Sequence, residues 1–188
     1  MELYITGDTH GDFSRFRPES FYEQERLTKE DVILVAGDFG GVWYGDSRDD
    51  AGLNFLDSRP FTTAFVSGNH ENYDALERYP VAEWHGGKVH RVRPHVLHLM
   101  RGQIYTLNRR SFFVMGGACS KYKELREKDG TWWPEEMPST REYRAAWRNL
   151  EKARRKVDYI LTHTAPYSLV TQLRDVEGEY PLNLFLQE

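Results

Sequence analysis

Four short apolar runs, each followed directly by side chains that bind metals, place the strongest constraint on how this chain can fold. The runs end in Asp8 and His10, in Asp38, in the segment 69–71 and in His163. A glycine precedes each of the first three groups, which lets the backbone turn sharply as it leaves a strand. Because ligands in α/β folds lie at the carboxyl ends of strands, the pattern predicts that these side chains form a site at strand ends.

Seven segments rich in β-branched and aromatic residues are predicted to be strands. Each is short and bounded by glycine, proline or polar residues, which favours strands over helices. They are residues 3–6, 32–36, 63–66, 96–99, 103–107, 111–115 and 157–161. Strands that alternate with helices indicate an α/β layered fold, and we expect a single domain over residues 1–188.

The clearest predicted helix runs from Thr140 to about Arg155. Ser139 and Glu142 form a capping box at its start, and its apolar residues fall on one stripe. Shorter helices are predicted around residues 12–16, 52–57 and 72–79, and residues 121–138 are predicted to be a long loop. Two adjacent tryptophans in that loop, Trp132 and Trp133, are interpreted either as a hydrophobic plug or as a lid beside a site.

Charge and composition exclude some classes of partner. The formal net charge is −4, which gives no general attraction to nucleic acid or to an anionic membrane. No apolar run approaches the ~20 residues that cross a bilayer. The chain opens on a strand-like segment without a signal peptide, so a cytoplasmic location is expected. The sequence does not indicate an oligomeric state.

The donor set predicts transition-metal binding. Asp8 and His10 are two residues apart, so in an extended strand exit both point to the same side. Asp38 offers two carboxylate oxygens and can bridge two ions, while Asn69 offers an amide oxygen and His163 an imidazole. This mixed set suits Mn²⁺, Zn²⁺, Fe or Ni²⁺ better than Ca²⁺, which prefers oxygen alone.

In order and spacing, the motifs DxH, GD, GNHE and a later lone histidine resemble those of the calcineurin-like metallophosphoesterases. The resemblance extends from Asp8 to His163. It implies an αββα sandwich of two mixed sheets flanked by helices. It also implies hydrolysis of a phosphomonoester or phosphodiester at a centre of two divalent metal ions, with Mn²⁺ the first expectation. The substrate is then a phosphorylated small molecule or a nucleotide.

The resemblance also implies a role for each candidate residue. Asp8 and His10 are expected to bind the first metal ion, Asp38 to bridge both ions, and Asn69 and His163 to bind the second. Two neighbouring residues complete the expected catalytic set, with His70 as the catalytic imidazole and Glu71 as the carboxylate that orients it.

Two segments of the sequence indicate which branch of that family the chain resembles. Residues 37–43 lack the GDxxDRG pattern of the protein serine/threonine phosphatases, which argues against that activity. Residues 116–120 and 132–136 are similar to a bacterial and phage subgroup of small metallophosphoesterases.

One family motif is absent from the sequence. The family pattern closes with GHxH, whose two histidines complete the two metal sites, and no histidine follows His163. Three interpretations follow: the sequence is a C-terminally truncated form, or a short enzyme in which water or His85, His90, His95 or His98 replaces those ligands, or a degenerate member. In the third case the protein acts by binding metal, phosphate or a partner, with little catalysis.

Overall fold

The computed structural model describes residues 1–172 and 180–188, and within them the first sheet has six strands. In spatial order these are β1 (Leu3–Thr6), β2 (Val32–Ala36), β3 (Thr62–Val66), β6 (Val96–Leu99), β5 (Gly87–Arg93) and β4 (Val81–Trp84). The first four run parallel, and β5 and β4 form an antiparallel hairpin on the far side. All four parallel strands therefore end at the same edge of the sheet.

The second sheet has three strands in the order β7 (Gln103–Leu107), β8 (Arg110–Met115) and β9 (Tyr159–Thr162). β7 and β8 are antiparallel, whereas β8 and β9 are parallel, so this sheet is also mixed. Because β9 runs parallel to its neighbour after a long connection, the chain can place the residue that follows it, His163, beside the ends of the first sheet.

Six helices flank the two sheets in the described part of the chain: α1 (Asp50–Asp57), α2 (Tyr73–Leu76), α3 (Lys123–Lys128), α4 (Thr140–Lys152), α5 (Tyr167–Gln172) and α6 (Pro181–Gln187). Short 3-10 turns occur at Ser14–Phe16, Tyr22–Arg26, Ser47–Asp49 and Pro134–Glu136. No described helix is long and apolar enough to span a membrane.

Three apolar layers hold the sheets and helices together. The central layer lies between the sheets and includes Leu34 and Leu97 from the first sheet and Tyr105 and Val114 from the second. One outer layer covers the opposite face of the first sheet with α1 and α2, and the other covers the second sheet with α4 and α6. This is the expected αββα arrangement of two mixed sheets flanked by helices.

The seven predicted strands are present, with bounds that differ by no more than two residues. The β4–β5 hairpin was not predicted, and residues 121–138 contain α3 and a 3-10 turn where a loop was expected. The helix predicted at residues 12–16 is a 3-10 turn. α4 ends at Lys152 because Arg154 and Arg155 have left-handed backbones, with φ of 55° and 54°, which a right-handed helix cannot accommodate.

Candidate metal centre

The loops that leave β1 and β2 are joined by backbone hydrogen bonds. The amides of Thr9 and His10 donate to the carbonyl of Asp38 at 3.1 and 2.8 Å, and the amide of Gly11 donates to the carbonyl of Phe39 at 2.9 Å. The Thr9 hydroxyl also donates to the Phe39 carbonyl at 2.6 Å. The two predicted ligand groups at these strand ends are therefore held side by side.

Three predicted ligands form a compact cluster at this edge. Donor atoms of Asp8, Asp38 and His163 all lie within 4.8 Å of one another. His10 adjoins the cluster, with Nε2 3.7 Å from a carboxylate oxygen of Asp8 and 3.7 Å from one of Asp38. Two carboxylates and two imidazoles at these distances match the mixed oxygen and nitrogen donors that Mn²⁺, Zn²⁺ and Fe accept.

The His163 ring is oriented by the end of β2. Its Nδ1 donates to the carbonyl of Ala36 at 2.8 Å, and Nε2 lies 3.4 Å from Asp38 Oδ1. A backbone carbonyl that accepts from one ring nitrogen and leaves the other facing the ion is the usual support of a metal-binding histidine. Burial disfavours the charged ring, but the hydrogen bond and charge of Asp38 outweigh it and raise the pKa of His163 to about 9.

Asp38 is the residue on which the cluster converges. Its carboxylate is buried and faces His10 and His163, and its Oδ1 accepts from the His70 amide at 2.8 Å. Burial raises the pKa of this carboxyl, but hydrogen bonding and charge from His163, with a smaller contribution from His70, bring the pKa below its ordinary value. The group is therefore a carboxylate, ready to bind cations, at neutral pH.

Close packing around Asp38 requires glycine at two positions. A Cβ on Gly68 would overlap Asp38 Oδ1 and its backbone nitrogen, and a Cβ on Gly37 would overlap the His163 ring. Gly37 also has a φ of 97°, which L side chains rarely adopt. Both glycines therefore allow neighbouring groups to approach the backbone closely, and Gly37 also provides a sharp turn.

His70 and Asn69 follow β3, and His70 lies beside this cluster. The His70 ring packs edge-on against the His10 ring, with centroids 5.3 Å apart, and burial lowers the pKa of His70. The Asn69 side chain donates from Nδ2 to the Ser120 hydroxyl at 3.2 Å, so its Oδ1 does not take part in this hydrogen bond.

Glu71 contacts the loop that follows Asp38. Its fully buried carboxyl accepts hydrogen bonds from the amides of Phe39 at 2.7 Å and Gly40 at 3.4 Å, and its role in orienting the His70 imidazole stays a prediction. Burial, with a smaller contribution from the charge of Asp38, raises the pKa of Glu71 to about 8, against hydrogen bonding from the backbone of Phe39, Gly40 and Gly68. The observed contacts make Glu71 a support of the loop that carries Asp38.

Three arginines outside the ligand motifs support the site. Arg15 donates to the carbonyls of Gly7 and Asp8 at the exit of β1, at 3.1 and 2.8 Å. Arg101 is buried and donates to the Tyr73 hydroxyl at 2.7 Å, and that hydroxyl donates to the carbonyl of Gly68 at 2.6 Å. Arg15 is close in sequence to the carbonyls it contacts, whereas Arg101 reaches Tyr73 across 28 positions, which no local sequence pattern records.

The third arginine belongs to a buried polar cluster beneath Asn69. Arg126 donates to the Asn69 carbonyl at 2.8 Å and to the Ser120 hydroxyl. Glu136 is 2% exposed; it accepts from the Ser120 amide at 2.9 Å and lies 3.8 Å from Arg126 Nη1. These contacts fix the backbone at Asn69 from below.

We expect Glu136→Ala to lower the free energy of unfolding by about 3 kcal/mol, because it leaves a largely buried arginine without its carboxylate. Chemical denaturation of the metal-free protein measures this. Glu135→Ala is the matched control, since Glu135 is the exposed neighbour on the same turn. Equal stability of the two variants would contradict the structural role of the buried cluster.

A cleft of about 330 Å³ opens beside the donor cluster, lined by His10, Gly40, Trp43, Tyr44 and His70.

The two tryptophans of the predicted plug or lid differ in their surroundings. Trp133 packs edge-on against Trp43 with centroids 6.0 Å apart, and its Nε1 donates to Asp74 at 3.0 Å. Trp132 instead lies under the ammonium group of Lys123, 4.2 Å from the ring centroid. Trp133 therefore contacts a residue that lines the cleft, and Trp132 does not share that contact.

The family model for calcineurin-like phosphoesterase matches residues 1–187 of the chain. The chain belongs to this family. Searches of curated proteins and of solved structures returned no significant match. Membership in the calcineurin-like phosphoesterases implies metal-dependent hydrolysis of phosphoester bonds as the general activity, and divalent ions as the general cofactor.

In this calcineurin-like phosphoesterase, the four histidines considered as replacement ligands occupy two other places in the fold. His85 and His95 line a separate cleft together with Val32 and Thr62, which begin β2 and β3. That cleft is at the amino edge of the parallel strands, and five-residue strands span ~16 Å. His90 and His98 are buried and pair with each other, Nδ1 to Nδ1, at 3.0 Å.

Proposed function

We propose that this chain hydrolyses a phosphoester of a small molecule at a centre of two divalent metal ions, with Mn²⁺ the first candidate. The observation that carries the proposal is the cluster of Asp8, Asp38 and His163 next to His70, at the mouth of a cleft. The donor set fits transition-metal ions, since both elements of a mixed site, carboxylate and oriented imidazole, are in place.

The proposed ligands divide into two groups around Asp38. Asp8 and His10 from the β1 exit would hold one ion, and Asn69 and His163 the other, with Asp38 shared. A pair of divalent ions supplies Lewis acidity and a water of lowered pKa, which are what phosphoester hydrolysis needs. The fixed loops keep these donors in one geometry, so little reorganisation is required when the ions bind.

His70 is proposed to donate a hydrogen bond to the phosphate group. Burial lowers its pKa, so its ring is neutral at neutral pH and still carries one N–H. Its amide is held by Asp38, and its ring is packed against His10. A donor fixed in this way can stabilise the charge that develops on the phosphoryl oxygens or on the leaving oxygen.

Glu71 is proposed to act through the loop it holds. Its two backbone hydrogen bonds fix Phe39 and Gly40, which follow Asp38 directly and lead into the cleft. In this role Glu71 is a positioning residue and does not contact the substrate.

Hydrolysis of bis(4-nitrophenyl) phosphate and 4-nitrophenyl phosphate, each with and without Mn²⁺, tests the proposal. We expect turnover that depends on the metal and falls by about 100-fold in His70→Ala, within the range for loss of an acid–base or hydrogen-bonding group. His85→Ala is the matched control and should retain wild-type turnover, because His85 is exposed and lies in the other cleft. Equal turnover in the two histidine variants would contradict the role of His70.

A second candidate function is binding without appreciable catalysis. It is favoured by the fact that, among the carboxylate, imidazole and thiol donors of the described residues, only Asp8, Asp38 and His163 form a group of three. One well-held ion with no turnover on either ester would support it. Titration calorimetry with Mn²⁺ gives the stoichiometry, and two ions per chain together with metal-dependent turnover would exclude it.

A further inference from the structure

Two aromatic side chains form part of the cleft at the donor cluster. Trp43 and Tyr44 line it together with His10 and His70. Trp43 is half-buried, whereas Tyr44 is 52% exposed. Two aromatic side chains in the wall of one polar cleft offer a surface on which a flat, apolar part of a ligand can pack.

The backbone of this aromatic pair is held firmly. The Tyr44 amide donates to both carboxylate oxygens of Asp49 at 3.1 Å, and the Gly45 amide donates to the same side chain at 2.8 Å. The carbonyl of Trp43 accepts from Asn72 Nδ2 at 2.7 Å. Asn72 is also the N-cap of α2, so the aromatic pair is connected to the segment that carries His70.

Both rings have a defined neighbour that supports them. Trp133 packs edge-on against Trp43 and is itself fixed by Asp74. The guanidinium of Arg48 lies over the Tyr44 ring, 4.0 Å from its centroid, and is paired with Asp46. Aromatic side chains that are already ordered lose little conformational entropy when a flat ligand packs on them.

We propose that Trp43 and Tyr44 bind a planar aromatic ring that is part of the phosphoester, of the kind found in a nucleotide base, while its phosphate faces the donor cluster. This inference rests on the proposed function, whose substrate class it narrows. A cleft of about 330 Å³ lies at the small end of the range for ligand sites, which suits a single nucleotide.

A nucleic acid chain fits the same surface less well. The formal net charge is −4, and the carboxylates of Asp46 and Asp74 lie near the aromatic walls. A polyanion needs lysines and arginines along its backbone, and Arg48 is already paired with Asp46. The charges therefore favour a mononucleotide.

The test compares ligands that share a phosphate and differ in the base. Steady-state hydrolysis of adenosine 5′-monophosphate and ribose 5-phosphate is measured with Mn²⁺, and calorimetry of adenosine and ribose is carried out on metal-free protein. We expect the KM of the nucleotide to be at least about tenfold lower, because stacking of a base on aromatic side chains contributes binding free energy of that size. Tyr44→Ala and Trp43→Leu should each reduce that preference several-fold, with the change in KM and not in kcat.

Tyr159→Ala is the matched control, because Tyr159 is also 52% exposed and lies on β9, outside the cleft. It should keep the wild-type preference. The proposal would be overturned if the two phosphates had equal KM values and adenosine and ribose bound equally well. It would also be overturned if single-stranded DNA bound more tightly than the mononucleotide. If hydrolysis is absent but adenosine still binds more tightly than ribose in a Tyr44-dependent way, the aromatic site stands and the proposed function fails.

Discussion

Replacing Asp38 by asparagine is expected to weaken Mn²⁺ binding by more than ~100-fold and to reduce phosphoester hydrolysis to background. Loss of a group that merely orients a ligand already costs ~10–100-fold in metal affinity. Asp38 contacts three of the other proposed site residues, His10, His163 and the His70 amide. Calorimetric titration with Mn²⁺ and the nitrophenyl ester assay measure the two effects.

The same substitution has an electrostatic consequence for His163. Burial lowers the pKa of His163, and the Asp38 carboxylate is the main group that raises it. With a neutral asparagine at position 38, the pKa of His163 in the metal-free protein should therefore fall from about 9. Its NMR titration reports this directly. Asp158→Asn is the control, because Asp158 interacts with Arg110 and Ser111 on the second sheet. Mn²⁺ affinity within twofold of wild type in Asp38→Asn would refute the shared-ligand role.

Gly68→Ala is expected to reduce both stability and metal affinity. The structure leaves no room for a methyl group there, since it would overlap the Asp38 carboxylate, the Asp38 amide nitrogen and the His163 ring. Gly68 does not have a left-handed backbone, so the expected effect is steric. We predict a loss of about 1–3 kcal/mol in the free energy of unfolding, typical of overpacking, together with weaker Mn²⁺ binding.

Gly7→Ala is the matched comparison for this prediction. Gly7 also precedes a proposed ligand, but a Cβ there would meet nothing within 4 Å. We expect Gly7→Ala to retain wild-type stability and metal affinity, as measured by thermal melting and calorimetry. If Gly68→Ala and Gly7→Ala behave alike, the packing described around Asp38 is wrong.

The strand pattern and the strand ends where the site forms could be predicted from sequence. Runs such as Val32–Ala36 are short, apolar and followed by a ligand, and the structure has them as parallel strands with a common carboxyl edge. The β4–β5 hairpin was missed because β5 carries Lys88, His90 and Arg91 in place of a continuous apolar run. Its polar side chains hide the alternation on which strand prediction depends.

The supports of the site could not be predicted in the same way. Arg126 reaches Asn69 across 57 positions of sequence, and Arg101 reaches Tyr73 across 28. A motif records only neighbours along the chain, so long side chains that act at such separations leave no pattern. The hydrogen bonds of Glu71 show the same limit, because they reach Phe39 and Gly40 across 32 and 31 positions of sequence.

The backbones of His10 and Asp38 both lie in the left-handed region, with φ of 45° at each. A side chain in that conformation costs on the order of 1–3 kcal/mol, which the interlocked loops must offset. Glycine at either position would relieve the strain and at the same moment remove a proposed metal ligand. At these two positions the residue that gives the most stable fold therefore differs from the residue that can bind a cation. Selection for stability alone would replace both proposed ligands.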